Sequence, residues 1–190
     1  MNELFPILAV ETSGELCSAA LLLDEKNFVE LNYLQKHMHS QKLIEMIDTV
    51  LKTAGIELSN VKSAAVSMGP GSFTGLRIGL SAVKGIAFGA NIPIVPVPTF
   101  DAFAFNIAQQ IPNGSKFIIA ISANIDELYF AKFVKTKKRV EAIDGLKLLE
   151  KSNLNNFVED GELVYGNISF DRILNEVVGP TASAIGKWAY

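Results

Sequence analysis

Seven residues constrain this chain more than any others. Gly69-Pro70-Gly71-Ser72-Phe73-Thr74-Gly75 packs three glycines and a proline into one short connection. Before it stands Ser63–Met68, an apolar run too short for a helix; after it, Leu76–Ala90 is helical in period. A strand entering a helix through a glycine-rich loop is a building unit of α/β folds. Glycine permits positive φ and close backbone approach, and free amides at a helix start can bind an anion, with Arg77 in the first turn to help. Gly69, Gly71, Ser72, Thr74, Gly75 and Arg77 are therefore candidate phosphate contacts. The loop is not a Walker motif, since Leu76-Arg77 stands where Lys-Ser/Thr is needed. It is not a nucleophile elbow either, because the residue two before Ser72 is Pro70. The plainer alternative is a rigid strand-to-helix connection that presents Phe73 as an exposed knob.

The helix that follows is apolar on every side. Leu76, Ile78, Leu80, Val83, Ile86 and Phe88 keep to no single stripe, and Gly75, Gly79, Ala82, Gly85 and Gly89 supply small residues. Such a helix has to be covered all round. Each glycine inside a helix costs about 0.5–1 kcal/mol relative to alanine, so Gly79, Gly85 and Gly89 imply a packing reason. Either the domain supplies the whole cover, or another polypeptide supplies part of it. A second helical stretch, Ser40–Ala54, repeats Leu43, Ile44, Ile47, Val50, Leu51 and Ala54 at helical spacing and meets a stop at Gly55. Ser40 is its expected N-cap.

Elsewhere, Ile7–Val10, Cys17–Leu23 and Phe28–Leu34 read as a three-strand meander, Ile92–Val97 as a strand and Thr99–Ala108 as a third helix. Pro112-Asn113-Gly114-Ser115 is the expected boundary, dividing 1–110 from a smaller second part, 115–190. In the second part Phe117–Ser122, Leu128–Val134, Val140–Ile143 and Leu163–Tyr165 read as strands, and Phe170–Val177 as a helix. Both parts open with a strand, a turn and further strands before any helix. Lys135, Lys137, Lys138 and Arg139 fall between two strands and read as a solvated hairpin turn.

A hydrophobic fraction of 49% over 190 residues excludes a disordered chain. The single cysteine, Cys17, excludes an internal disulfide and a cysteine-based zinc site, and reads as a small core residue. A net charge of −3 gives no general attraction for nucleic-acid backbones. No long uncharged apolar stretch and no basic leader stand out, so a cytosolic protein without a membrane span is expected. His37 and His39 lie two apart and share no helix face, so no metal site is expected. Glu11-Thr12-Ser13 occupies the turn after the first strand, a place where nucleotide-binding folds hold phosphate. One carboxylate without a second acid or a histidine suits acid–base work poorly, and local hydroxyl-to-backbone bonding is the alternative.

Three segments, in order and at fitting separations, resemble the TsaB (YeaZ) family: Ile7-Leu8-Ala9-Val10-Glu11-Thr12-Ser13, His39-Ser40-Gln41 and the run from Gly69 to Gly79. The resemblance covers residues 6 to about 105 well and the rest loosely. It implies an α/β, actin/Hsp70/sugar-kinase-like (ribonuclease H-like) fold of two related subdomains, the second small and truncated. It implies a cytoplasmic subunit, without catalytic residues of its own, of the complex that forms threonylcarbamoyladenosine on tRNA. The expected partners are the catalytic TsaD-type paralogue and a TsaE-type ATPase. The assembled complex would use ATP, the isolated chain would hold no cofactor tightly, and contact with tRNA would be indirect. Alone, the chain would form a homodimer through the same helices. On this reading Leu43, Ile47, Phe73, Leu76, Ile78, Gly79, Ala82, Val83 and Ile86 are the partner contacts. The paralogue's His-x-x-x-His metal motif is absent. Two departures stand out: Ser122-Ala123-Asn124 replaces the family's Asp-Ala-Arg, and the chain stops at Tyr190 where relatives continue, which would expose an edge strand. The rival reading is an enzyme in its own right. It would be a nucleotide-dependent hydrolase using Glu11, Thr12, Ser13 and the Gly69–Gly75 loop, or a glycoprotease-like peptidase acting through Ser72.

Overall fold

In the computed structural model, which describes residues 4–35, 38–168, 173–175 and 179–190, the chain divides into two units. One comprises Met1–Ala102 with Pro180–Tyr190, the other Phe103–Gly179.

The first unit is built on β1 (Ile7–Glu11), β2 (Leu16–Leu22), β3 (Phe28–Leu34), β4 (Ser63–Ser67) and β5 (Ile94–Val97), in the order β3-β2-β1-β4-β5. β1 to β3 form the expected antiparallel meander, and β4 and β5 add in parallel. Every residue of β1, β2 and β4 is buried. Their near-continuous apolar runs suit strands covered on both faces. Over one face, α1 (His39–Ala54) and α2 (Phe73–Ala90) close a core of Leu8, Val10, Cys17, Leu21, Leu43, Ile47, Val50 and Val83. Over the other face, Ile7, Ala9, Ala20 and Leu22 meet Ala102 of α3 (Thr99–Ala108) and Ala182 and Ile185 of α4 (Ala182–Ala189).

The chain end therefore belongs to the first unit, which corrects the division into 1–110 and 115–190. The amide of Ala182 donates to Ser18 Oγ at 2.8 Å and that of Ser183 to Glu30 Oε1 at 2.7 Å, satisfying the first orphan donors of α4. Gly186 lies so close to the sheet that a Cβ there would overlap Leu22 Cδ1. These receptors sit on β2 and β3, about 150 residues away in sequence, beyond the reach of local pattern. α1 ends as expected at Gly55, φ +67°. It starts differently: Met38 is the N-cap without a side-chain bond, and Ser40 lies within the first turn. His39 is buried, with Nε2 3.3 Å from the Leu16 carbonyl oxygen.

The second unit holds β6 (Lys116–Ser122), β7 (Glu127–Lys135), β8 (Val140–Glu150), β9 (Leu163–Gly166) and β10 (Ile173–Asn175), in the order β8-β7-β6-β9-β10. β6 pairs antiparallel with β7, and β7 with β8; β9 and β10 add in parallel. Strand order and polarity repeat those of the first unit. The helix expected over Phe170–Val177 is contradicted at 173–175, where β10 pairs with β9; its remaining residues other than Asn175 and its neighbours in that strand lie outside the described residues. β8 runs on to Glu150 instead of stopping at Ile143, because β7 offers it partners along its length. The basic run forms a hairpin turn, in which the Thr136 amide donates to the Arg139 carbonyl at 2.8 Å and Arg139 pairs with Glu141 at 2.9 Å.

One buried ion pair anchors this unit. Lys132 Nζ lies 2.8 Å from Glu162 Oε2, and both side chains are almost wholly enclosed. Removing the cation strands a buried carboxylate, at a cost of about 3–5 kcal/mol. Lys132→Met should therefore lower the urea midpoint strongly, and adding Glu162→Leu should recover most of the loss. Equal stability of Lys132→Met and the parent chain would contradict this. Among the described residues no helix is long and apolar enough to cross a membrane.

Candidate functional site

The glycine-rich loop and the β1–β2 turn are fastened to each other. The Ser72 amide donates to the Ser13 carbonyl at 2.7 Å, and Thr12 Oγ1 donates to the Gly75 carbonyl at 2.8 Å. Ser72 also caps α2, its Oγ accepting from the Gly75 amide at 3.2 Å and its carbonyl from the Leu76 amide at 2.9 Å. At the other end, the Gly69 amide donates to Thr99 Oγ1 at 3.1 Å, and the Thr99 amide returns to the Gly69 carbonyl at 2.9 Å. The glycines make this closeness possible. A Cβ at Gly71 would overlap the Ser13 carbonyl oxygen, one at Gly75 the Thr12 carbonyl oxygen, and one at Gly79 the Thr12 hydroxyl. Gly69 adopts φ +103°, which favours glycine. The amides of Gly69, Ser72, Gly75 and Leu76 are thus taken up within the chain. Of the candidate phosphate contacts, Ser72, Thr74 and Arg77 are exposed, whereas Glu11, Thr12, Ser13 and Gly75 are buried.

Glu11, at the end of β1, is fully enclosed and accepts the Ser13 amide through Oε1. Its Oε2 and the neighbouring Ser67 Oγ, at the end of β4, are both buried without a well-formed hydrogen bond. Burial pushes the Glu11 carboxyl up to about 7; Ser13, and Ser67 standing close by, draw it down only partly. The Cys17 thiol is pushed up to about 11, first by burial and then by the Glu11 charge, which makes it an inert core residue. Among the described residues, no three His, Cys, Asp or Glu side chains gather as metal ligands, and His37 lies outside those residues.

The outer side of α1 and α2 is different in character. Between the two helices runs an apolar groove. One stretch, of about 570 Å³, is lined by Ile44, Phe73, Arg77, Ile78 and Ala82; the next, of about 430 Å³, by Ile44, Leu51, Ile56, Leu58 and Ile86. Phe73 stands 73% exposed with the Arg77 guanidinium 5.3 Å over its ring, and Ile44 is 58% exposed. Of the expected partner contacts, Phe73, Ile78, Ala82 and Ile86 do line this groove. Leu43 and Ile47 are buried and form its floor. Gly79 and Val83 face the sheet, wholly inside, and Leu76 turns toward Gly69. Gly79 and Val83 are corrected from surface to interior, because α2 buries on its own sheet the side that its all-round apolarity had left undetermined, and Leu76 is half-buried. Ile44 and Phe88, the latter 91% exposed, were missed. Ile44 could have been found from its place one residue off the Leu43–Ile47–Val50 stripe. Phe88 carries no such signal.

Two sheets of the same strand order, three antiparallel strands followed by two parallel ones, place the chain in the actin/Hsp70/sugar-kinase-like, ribonuclease H-like class of α/β proteins. The family model described as TsaD, tRNA N6-adenosine threonylcarbamoyltransferase, matches residues 33–175. The tRNA threonylcarbamoyladenosine biosynthesis protein TsaB of Haemophilus influenzae is 31% identical over 185 residues, which cover 96% of this chain and 72% of that protein. TsaB of Escherichia coli is 32% identical over 134 residues, covering 70% of this chain and 57% of that one. The solved structure of YeaZ from Pseudomonas aeruginosa superposes with a TM-score of 0.80 at 25% identity, over 96% of this chain and 89% of that chain. The chain belongs to the TsaB (YeaZ) family.

Proposed function

We propose that this chain is a non-catalytic subunit of the machinery that forms threonylcarbamoyladenosine on tRNA, and that it docks a catalytic TsaD-type paralogue on the α1–α2 groove. The observation that carries the reading is the groove itself: Phe73 and Ile44 stand in water at the rim of an apolar cleft, a costly arrangement for a chain that has no use for them. A TsaE-type ATPase would join that assembly and consume its ATP, with tRNA held mainly by the paralogue. In the paralogue's absence a second copy of this chain would cover the same face, since a self-complementary patch closes a two-fold pair. The hold that Ser13 and Thr12 keep on the glycine-rich loop supports the subunit over the nucleotide-dependent hydrolase, because an anion at the Ser72 amide would have to displace the Ser13 carbonyl. Co-expression with a TsaD-type paralogue should give a stable complex, burying at least about 1,200 Å². Modification of tRNA by the reconstituted set should fall to background when this chain is left out. Full modification without it, or tight ATP binding by the isolated chain, would overturn the reading.

A further inference from the structure

The groove between α1 and α2 has a direction. One stretch lies by the helix starts, where Ser40 and Ile44 of α1 stand beside Phe73 and Arg77 of α2. The next lies by the helix ends, where Leu51 and Lys52 of α1 stand beside Ile86 of α2. The two helices therefore run the same way along it. Charge divides in the same sense. By the starts the charged lining residue is Arg77. In the second stretch Asp48 and Lys52 pair with each other at 2.7 Å, which leaves Glu57 as its net charge. Arg77 and Glu57 are both exposed, and the ion pairs of the described residues include neither. The helix dipoles add to this. Neither helix has an acid in its first turn, and α2 has no base in its last, so the starts stay partly positive and the end of α2 partly negative. Ser40 and Lys52 are twelve residues apart on α1. That sets the two ends roughly 18 Å from each other, beyond the screening length of about 10 Å at 0.1 M salt. Shape follows the same division: Phe73 projects into water at the start of α2, and the far stretch is a hollow walled by Leu51, Ile56, Leu58 and Ile86.

We propose that the groove closes on a second copy of this chain laid antiparallel, with Arg77 of each copy against Glu57 of the other and Phe73 of each in the other's Ile56–Leu58–Ile86 hollow. This rests on the reading of the groove as a docking face given above, and adds which way the mate lies and which side chains select it. Two face-to-face arrangements have two-fold symmetry. An axis along the helices sets Arg77 on Arg77, Glu57 on Glu57 and Phe73 on Phe73. Like charge then meets like, and the two hollows face each other unfilled. An axis across the helices brings each end onto its opposite. Two ion pairs then form at the rim, the dipoles of one helix pair oppose those of the other, and a projecting ring meets a hollow at both ends. Rim charges of this kind act mainly on choice of arrangement, because like charges set face to face exclude the wrong one.

The test is sedimentation velocity of the full chain over a concentration series at low salt. Arg77→Glu and Glu57→Arg should each weaken self-association by roughly tenfold or more, because each change turns both rim contacts repulsive. Mixing the two single variants should restore it, since one copy then carries two acids and the other two bases. Arg77→Glu/Glu57→Arg should pair with itself like the parent chain. Both side chains are exposed, so melting temperatures should stay within a degree or two, and if one single variant folds poorly the double variant decides. Arg77→Glu pairing more tightly with the parent than the parent does with itself would place Arg77 on Arg77. That result overturns the antiparallel arrangement and leaves the groove as the contact. No recovery in either the mixture or the double variant would overturn it too. A parent chain that stays monomeric at several hundred micromolar, or whose pairing is untouched by Ile44→Asp, would overturn self-closure altogether, while complex formation with the TsaD-type paralogue is measured separately and decides the docking reading on its own.

Discussion

Gly75→Ala should destabilise the first unit by about 3 kcal/mol, while Gly85→Ala, ten residues along the same helix, should stabilise it by about 0.5–1 kcal/mol. The two substitutions add the same methyl group to the same helix, and intrinsic propensity favours both. At Gly75 the new Cβ would overlap the Thr12 carbonyl oxygen, a backbone atom that cannot move without dragging β1 and its turn. At Gly85 nothing lies within 4 Å of the added atom, so only the propensity gain remains. Thermal unfolding followed by circular dichroism reads both. For a chain of this size the midpoint temperatures should separate by roughly 10 °C. Gly75→Ala as stable as Gly85→Ala would mean that the loop is not seated on the turn, and the closed arrangement of the phosphate-loop position would have to be abandoned.

Phe73→Asp and Ile44→Asp should each weaken binding to a TsaD-type paralogue by roughly 30-fold or more, the scale of losing one interface hot spot of about 2 kcal/mol. Both side chains already stand in water, so neither change should alter the melting temperature by more than a degree or two. Val83→Asp makes the contrast. Val83 is fully buried on the side of α2 that faces the sheet, and a charge there has no partner, so this variant should fail to fold rather than fold and fail to bind. Calorimetric titration alongside a thermal melt separates the two kinds of loss. Unchanged affinity in the Phe73 and Ile44 variants would remove the groove from the docking proposal.

Much of this architecture was legible from local pattern. The seven-residue loop, the stop at Gly55 and the apolar runs of β1, β2 and β4 are punctuation that acts within a few residues, and they placed these elements closely. What was not legible depends on which side of an element meets which neighbour. α2 is apolar all round, so no stripe distinguished Val83, which faces the sheet, from Phe73 and Ile78, which line the groove. The same holds for the chain end. Ala182–Ala189 is short, and the atoms that receive its first amides are Ser18 and Glu30, on strands at the opposite end of the sequence. The sequence left the phosphate reading and a closed loop as alternatives, because Thr12 and Ser13 look as ready to bind a ligand as to bind the loop itself.

The repeated strand order carries a consequence for how such chains can add together. Each half has the same five-strand scaffold, and the first connects its outer strands to its inner ones through the long helices α1 and α2. In the second, the passage from β8 to β9 is made by the short turn at Lys151–Asn156. Among the described residues, a cleft between two long helices is therefore offered once per molecule and not twice. If the proposed contact uses this same cleft on both members, it closes a two-fold pair and leaves no second cleft of that kind for further growth.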